Sequence, residues 1–363
     1  MQDGNGEVGV EARITFVIPA YNAEKTLERT LDSILWQTDG RYRVVIVDDG
    51  STDRTGQIGK GYAMRHPDRI RYIHQENKRQ GGARNTGLRS VETAYVSFLD
   101  SDDWLMPEYV ERITGALDAA REAPEMIMTL PVIYHEQSHG VRDWYDKELF
   151  ERIFPADGTV VDPARELRLY QFEVNICRKV LQMDFVKRTG FSFREKMKWE
   201  DVYPHFYLLS RCRLCMGIST GFYYRIGEGT QTTACTGSER LEILQVFDDL
   251  ERFLQREEES LIFPVMRVIV RFAFWCIRMA DVETREVLVS RVQDFFGRLP
   301  GRYRRILLRE SLRKYCVKDA AQYALLTAAL RYRICGPVFY DYLPQEICER
   351  FFKKILRAQK RVS

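Results

Sequence analysis

The chain has 363 residues, 45% of them hydrophobic, and a formal net charge of only +3. That length suits one large domain plus an extension; the apolar content excludes wholesale disorder, and the small net charge argues against a nucleic-acid partner. The charge is uneven: from Arg302 onward fifteen Lys/Arg stand against five Asp/Glu, net +10, which leaves −7 for the rest and marks the C-terminal end as the part suited to anionic surfaces.

Residues 1–12 are polar and acidic, lack the apolar core of a signal peptide, and read as a flexible N-terminus. Ile14 to Ile18 is a short β-branched apolar run closed by Pro19, the pattern of a buried strand. Glu24 to Trp36 carries Leu27, Leu31 and Ile34 at helical spacing. Val44 to Val47 reads as a second buried strand, ending in Asp48-Asp49-Gly50, after which Ser51-Thr52-Asp53 offers N-cap chemistry for a helix. Ile70 to Ile73 reads as a third strand, Gly81 to Arg89 as a short helix, and Ala94 to Leu99 as a fourth strand running into Asp100-Ser101-Asp102-Asp103. Pro107 stands at a favoured first-turn position of the next helix.

Strands alternating with helices predict an α/β fold with a mostly parallel central sheet flanked by helices. Ligands of such sheets bind beyond the carboxyl ends of the strands. Tyr21-Asn22, Asp48-Asp49 and Asp100 to Asp103 all fall at such ends. Farther on, Met126 to Tyr134 reads as a strand, Asp143 to Pro163 as an aromatic, charged loop, Lys179 to Thr189 and Asp201 to Ser210 as helices, and Leu214 to Ile226 as closing strands. From Ser238 the pattern is helical. This gives a domain over 13–235 and a helical, basic region over 236–363.

The run "ITFVIPAYN" at Ile14 to Asn22, "VVIVDDGSTD" at Val44 to Asp53, "GGARNTGL" at Gly81 to Leu88, "FLDSDDWLMP" at Phe98 to Pro107 and "WED" at Trp199 to Asp201 occur in this order. Together they resemble a family 2 glycosyltransferase of the GT-A fold, of the bacterial surface-polysaccharide type. The resemblance covers roughly the first 205 residues, and the C-terminal third matches no named pattern. It implies inverting transfer of a sugar from a nucleotide-sugar, a UDP-sugar first, to a hydroxyl of a glycan or lipid-linked oligosaccharide.

The resemblance assigns Asp102 to a divalent metal, Mn²⁺ or Mg²⁺, and Asp100 to the ribose or the metal. Such hard cations keep several waters, so one or two carboxylates plus phosphates suffice. It assigns the base to Asp48 and Asp49, with Asp49 the stronger candidate. Pro19 and Tyr21 line the first strand's exit, where Tyr21 would pack on the base or stay buried as a core aromatic. Arg84 is placed beside the nucleotide, with a salt bridge to the acidic loops as its rival reading, and Arg225 is a candidate for the diphosphate alongside Thr230 and Thr232. Asp201 is the expected catalytic base and Glu200 its orienting partner. His205 lies one helical turn beyond Asp201 and reads as a structural histidine with its hydrogen bonds satisfied.

Three further expectations concern the whole chain. Cys212 and Cys215 form a lone C-x-x-C without a second pair and read as ordinary strand residues. Leu261 to Ala280 is interrupted by Arg267, Arg271 and Arg278, so no membrane span is expected and the place of action is the cytoplasm, including the inner face of the plasma membrane. Phe351 to Arg357 pairs apolar and basic residues, suited to peripheral membrane contact or to a packed helix, and the helical third could equally serve a homodimer. Two rival functions stand beside transfer. A nucleotidyltransferase would display a Gly-rich basic loop where Pro19 to Asn22 stands, and a non-catalytic scaffold would have lost carboxylates that Asp102 and Asp201 retain.

Overall fold

The structure, a computed structural model, describes residues 11–227 and 235–313. The chain divides into two compact units, Met1–Glu228 and Gly229–Ser363. Thr230, Thr232 and the basic stretch Phe351 to Arg357 lie outside the described residues.

The first unit opens with alternating elements. These are β1 (Ile14–Ala20), α1 (Leu27–Leu35), β2 (Tyr42–Asp48), α2 (Thr55–Arg65), β3 (Ile70–His74), α3 (Arg79–Leu88) and β4 (Tyr95–Phe98). All seven residues of β1 are buried, as a continuous apolar run requires when both sheet faces are covered. Leu27, Leu31 and Ile34 form the buried stripe of α1. Helix α2 starts at Thr55 rather than at the Ser51-Thr52-Asp53 stretch, and Asp53 Oδ1 accepts from Thr55 N at 2.9 Å just ahead of it.

The chain continues through β5 (Trp104–Leu105), α4 (Tyr109–Ala119), β6 (Met126–Thr129), β7 (Val132–His135), β8 (Gly140–Asp143), α5 (Lys147–Ile153) and β9 (Thr159–Val161). It closes with β10 (Lys179–Gln182), α6 (Met183–Thr189), α7 (Val202–Arg211), β11 (Cys215–Ile218) and β12 (Phe222–Ile226). The central sheet has eight strands in the order β3-β2-β1-β4-β10-β6-β11-β9. Strands β3, β2, β1 and β4 are mutually parallel, while β10 runs antiparallel to β4 and β6. A second sheet of four strands has the order β5-β12-β7-β8.

Several local expectations change. The stretch read as one helix over Lys179 to Thr189 is a strand, β10, followed by the short helix α6. Four apolar-rich residues carry no usable period, and the open slot between β4 and β6 decides the matter. The stretch Met126 to Tyr134 is two strands in different sheets. The break falls at Leu130-Pro131, where Leu130 N donates to Thr220 O at 2.8 Å and Pro131 has no N–H to offer a ladder. The span read as a loop, Asp143 to Pro163, contains α5 and β9, whose Phe150 and Ile153 are buried.

The second unit is helical among its described residues, with α8 (Ile243–Leu254), α9 (Ile262–Met279), α10 (Val282–Arg298) and α11 (Gly301–Arg313). Helix α9 packs against α8, α10 and α11. The segment Glu259–Met279 is long and apolar enough to cross a membrane by length and composition, contrary to the sequence expectation, and about two thirds of it is buried inside the protein.

Candidate active site

The site lies at the carboxyl edge of β1, β2 and β4. Ala20 pairs with Asp48 at the last register position, and Asp49 N donates to Ala20 O at 2.8 Å, so the two strands end together. The carboxylate of Asp48 turns inward. Its Oδ1 accepts from Ser51 N at 3.0 Å, and its Oδ2 accepts from Tyr72 Oη at 2.6 Å and lies 3.0 Å from His74 Nδ1. Burial by itself would raise this carboxyl, yet the hydrogen bonds from Ser51, Tyr72 and His74 together hold it below the usual carboxylate range. Asp48 therefore anchors the turn after β2 with a carboxylate already engaged by the protein.

Asp49 is also buried, but both of its hydrogen bonds fall on one oxygen. Oδ1 accepts from Gln75 Nε2 at 2.6 Å and from Lys78 N at 2.9 Å. Tyr21 is 54% exposed at the exit of β1, so the buried-core alternative for it is excluded, while Pro19 is buried within the strand opposite Val47.

Helix α3 ties the edges together. Its Gln80 Nε2 and Arg84 Nη2 each donate to Asp100 Oδ1 at 2.7 Å. Arg84, only 3% exposed, donates through Nη1 to Glu200 Oε1. Burial opposes the charge of Arg84, but Asp100 and Glu200 on its two sides hold the guanidinium protonated. Of the two readings open in the sequence, the structure gives Arg84 the ion-pair role: a strut between two acidic loops.

The loop before α7 is laid across α3 by backbone contacts. Asn85 clamps Phe193 in both directions, Nδ2 to Phe193 O and Phe193 N to Oδ1, each at 2.8 Å. Lys196 N donates to Lys78 O at 3.1 Å. Gly81 sits where this loop touches the helix: a Cβ there would lie 2.3 Å from Arg194 O and 3.2 Å from Glu200 Cγ. Gly81→Ala is therefore expected to push the Glu200-Asp201 pair out of place and to lower kcat/KM by on the order of 100-fold. Gly115→Ala, where a Cβ meets nothing within 4 Å, serves as the control and should leave kcat/KM intact. Equal kcat/KM for the two variants would refute this account of Gly81.

The acidic loop after β4 faces the second sheet. Asp103 is buried; its Oδ1 accepts from Arg225 N at 2.9 Å, its backbone O accepts from Thr30 Oγ1 at 2.7 Å, and its Oδ2 has no partner. Burial, then Asp102 and Asp100, push the Asp103 carboxyl well above the usual range. Asp102 is 36% exposed at its side chain, and its Oδ2 lies 3.7 Å from Arg225 Nη2. Loss of bulk water and the charge of Asp100 push its carboxyl up to about 6 against the pull of Arg225. Arg225 also donates through Nη1 to Glu136 on the β7 side.

Among the described residues, no group of three or more His, Cys, Asp or Glu side chains converges as a metal cage. The donor set still fits a Mn²⁺ or Mg²⁺ ion held largely by phosphates and water. Asp102 is accessible, and it and Asp100 form an under-neutralised pair of oxygen donors, the hard chemistry such ions take. Cys212 and Cys215 are buried and belong to no such group.

Asp201 stands at the N-cap of α7, yet its side chain makes no capping hydrogen bond, so the helix does not consume it. Burial first, with Asp100 adding, raises its carboxyl above the usual range, while Arg84 and Lys179 oppose. Glu200 is raised likewise by burial, Arg84 opposing. His205 is fully buried, and burial with nearby Lys179 and Arg178 holds it neutral against a hydrogen bond with the Tyr170 backbone, as a structural histidine requires. Among the described residues, four of the five non-glycine residues with positive φ, Asn22, Arg79, Lys196 and Trp199, belong to the loops and helix start around this edge. Such strain persists where surrounding contacts over-determine the backbone.

Gln75, Gln80, Glu136 and Lys179 escaped the sequence reading. None sits in a pattern that separates it from an ordinary surface or strand residue.

A mixed α/β sheet with carboxylates gathered beyond the ends of parallel strands is the arrangement in which α/β domains hold their ligands. Residues 15–179 match the model of "Glycosyl transferase family 2", and the chain thus carries a family 2 glycosyltransferase domain. "Glycosyltransferase GlyA" of Streptococcus pneumoniae serotype 4 is 48% identical over 105 residues, 29% of this chain and 15% of that protein. "Chondroitin synthase" of Escherichia coli is 45% identical over 98 residues, 27% of this chain and 14% of its own length. The matched stretch is thus a small part of these curated relatives. Among solved structures, residues 1–349 of S. aureus TarS in complex with UDP-GlcNAc superpose with a TM-score of 0.64 at 19% identity, covering 88% of this chain and 92% of that one. That likeness establishes the shared fold.

Proposed function

We propose that this chain is an inverting glycosyltransferase that moves a sugar from a nucleotide-sugar, a UDP-sugar first, to a hydroxyl of a glycan or lipid-linked oligosaccharide. The observation that carries the reading is the chain of contacts along α3, from Asp49 through Lys78 and Gln80 to Asp100, and through Arg84 to Glu200 beside Asp201. These contacts join Asp49, Asp100 and Glu200 along one helix, which supports reading them as parts of a single site. The UDP and UDP-GlcNAc named for the TarS structures supply the donor class.

In this reading Asp49 accepts from the base, with Tyr21 packed against it. Asp102 and Asp100 would hold the divalent ion, which when bound neutralises charge on the departing diphosphate. Arg225 adds positive charge beside Asp102. Asp201 takes the proton of the acceptor hydroxyl as its oxygen bonds to the anomeric carbon and the bond to the diphosphate oxygen breaks. Glu200, pinned by Arg84, fixes the position of its neighbour.

The test is UDP release from a panel of UDP-sugars with and without Mn²⁺ or Mg²⁺. No donor binding at millimolar concentration with Mn²⁺ present would sink the proposal. Within it, Asp102→Asn is expected to raise the Mn²⁺ concentration needed for half-maximal UDP release by about 10-fold or more. An unchanged Mn²⁺ titration would remove Asp102 from the ligand set.

A further inference from the structure

We propose that Glu136 is a positioning residue for donor binding: it holds the Arg225 guanidinium off Asp102 and so keeps that carboxylate open to the divalent ion. The inference rests on the reading of Asp102 as a metal ligand.

The second sheet brings the three residues together. Strand β12 runs parallel to β7, with Arg225 opposite Tyr134 and Ile226 opposite His135. One step farther, Glu136 N donates to Ile226 O at 3.0 Å, which sets Glu136 beside Gly227. On the other flank of β12, Tyr223 pairs with Trp104 of β5, so the acidic loop that leads into β5 reaches Arg225. There Arg225 N donates to Asp103 Oδ1 at 2.9 Å and fixes the root of the side chain. The guanidinium has an acid on either hand. Nη1 donates to Glu136 Oε2. Nη2 stops 3.7 Å from Asp102 Oδ2, beyond hydrogen-bond reach. Gly227 lets the pair with Glu136 close: a Cβ there would lie 2.5 Å from Arg225 Nη1 and 2.6 Å from Glu136 Oε2.

A guanidinium left to a single carboxylate closes on it through parallel N–H···O bonds of about 2.8 Å. The gap at Asp102 is therefore a held-off position, and the contact with Glu136 holds it. Stability does not account for that contact. The Glu136 side chain is 47% exposed, and such pairs contribute little to folding. The consequence lies in the site. Without Glu136, Arg225 closes on Asp102, and a carboxylate in that contact must give up the arginine before it takes a metal ion. Apparent metal affinity then falls with the fraction of molecules in which Asp102 stays open.

The readout is the Mn²⁺ concentration that gives half-maximal UDP binding, measured by equilibrium dialysis without acceptor. Glu136→Gln removes the charge and keeps the size. It is expected to raise that midpoint about fivefold or more, the lower end of ordinary coupling between sites. Its melting temperature should stay within about 3 °C of wild type. Gly227→Ala leaves both charges in place but forces their contact apart, so it should move the midpoint in the same direction. In an Arg225→Gln background, Glu136→Gln should change the midpoint by less than about twofold, because the arm it restrains is gone. A Glu136→Gln midpoint at or below the wild-type value would overturn the proposal. An equal shift with Arg225→Gln already present would overturn it too, by showing that Glu136 acts on the ion directly. Asp102→Asn in the same assay separates the two claims: an unmoved midpoint there refutes the metal reading itself, whereas a shift at Asp102 beside an unmoved Glu136→Gln refutes only the role of Glu136.

Discussion

Asp201→Asn is expected to lose turnover by about 10²- to 10⁴-fold, the range a positioned proton acceptor supplies, while UDP binding stays within a few-fold of wild type. The amide keeps the size of the carboxylate but cannot take the acceptor's proton. Structural damage should be slight, because the Asp201 side chain caps nothing in α7 and its charge is disfavoured by burial. The contrast with Asp102→Asn is informative. Loss at Asp102 acts on the metal and the departing diphosphate, so added Mn²⁺ should recover part of the rate; added Mn²⁺ should recover nothing at Asp201. Single-turnover UDP release with equilibrium UDP binding measured beside it separates the two. An Asp201→Asn enzyme with wild-type kcat would leave Glu200 or an unassigned group as the base.

The pH dependence expected of the wild type follows from the same carboxyl. Its folded pKa is raised above the ordinary aspartate value by burial. The acid limb of kcat/KM should therefore fall at a higher pH than an ordinary aspartate would give, with activity lost as pH falls through the raised value. A limb at or below the position of an ordinary aspartate would show that another group carries the proton.

The strands that end in the site were legible because each was a short, mostly apolar run closed by a polar cluster: Ile14 to Ile18, Val44 to Val47 and Ala94 to Leu99. Buried parallel strands have that signature, and their ends mark the ligand edge. Strand β10 was not legible. Lys179-Val180-Leu181-Gln182 is too short to show a period, and it becomes a strand only through partners some fifty to eighty residues away in the chain. Arg84 shows a different limit. Its sequence neighbourhood, Gly81-Gly82 at a helix start, suggests a phosphate contact, and only the fold reveals that Asp100 and Glu200 take both ends of its guanidinium. Spacing identified which residues gather at the edge; it could not say which of them face a ligand and which hold the others in place.

Arg84→Met is expected to be strongly destabilising to the first unit. The guanidinium is buried, and its removal strands Glu200 and Asp100 without their shared counter-charge. Breaking a buried pair from one side costs about 3–5 kcal/mol, because the remaining charge is left desolvated and unpaired. For a unit of this size that corresponds to a fall in melting temperature on the order of 10 °C. The cost arises from stranded charge and not from lost volume, so Arg84→Met with Glu200→Gln should melt higher than Arg84→Met alone, even though one more native group has been removed. Arg84→Lys should fall between them and wild type, since one ammonium keeps the charge but cannot bridge two carboxylates in the fork geometry that a guanidinium provides. Thermal unfolding followed by far-UV circular dichroism measures all three. A loss below about 1 kcal/mol for Arg84→Met would place that pair among weak surface contacts, and Arg84 could then be released to meet a phosphate as its sequence context first suggested.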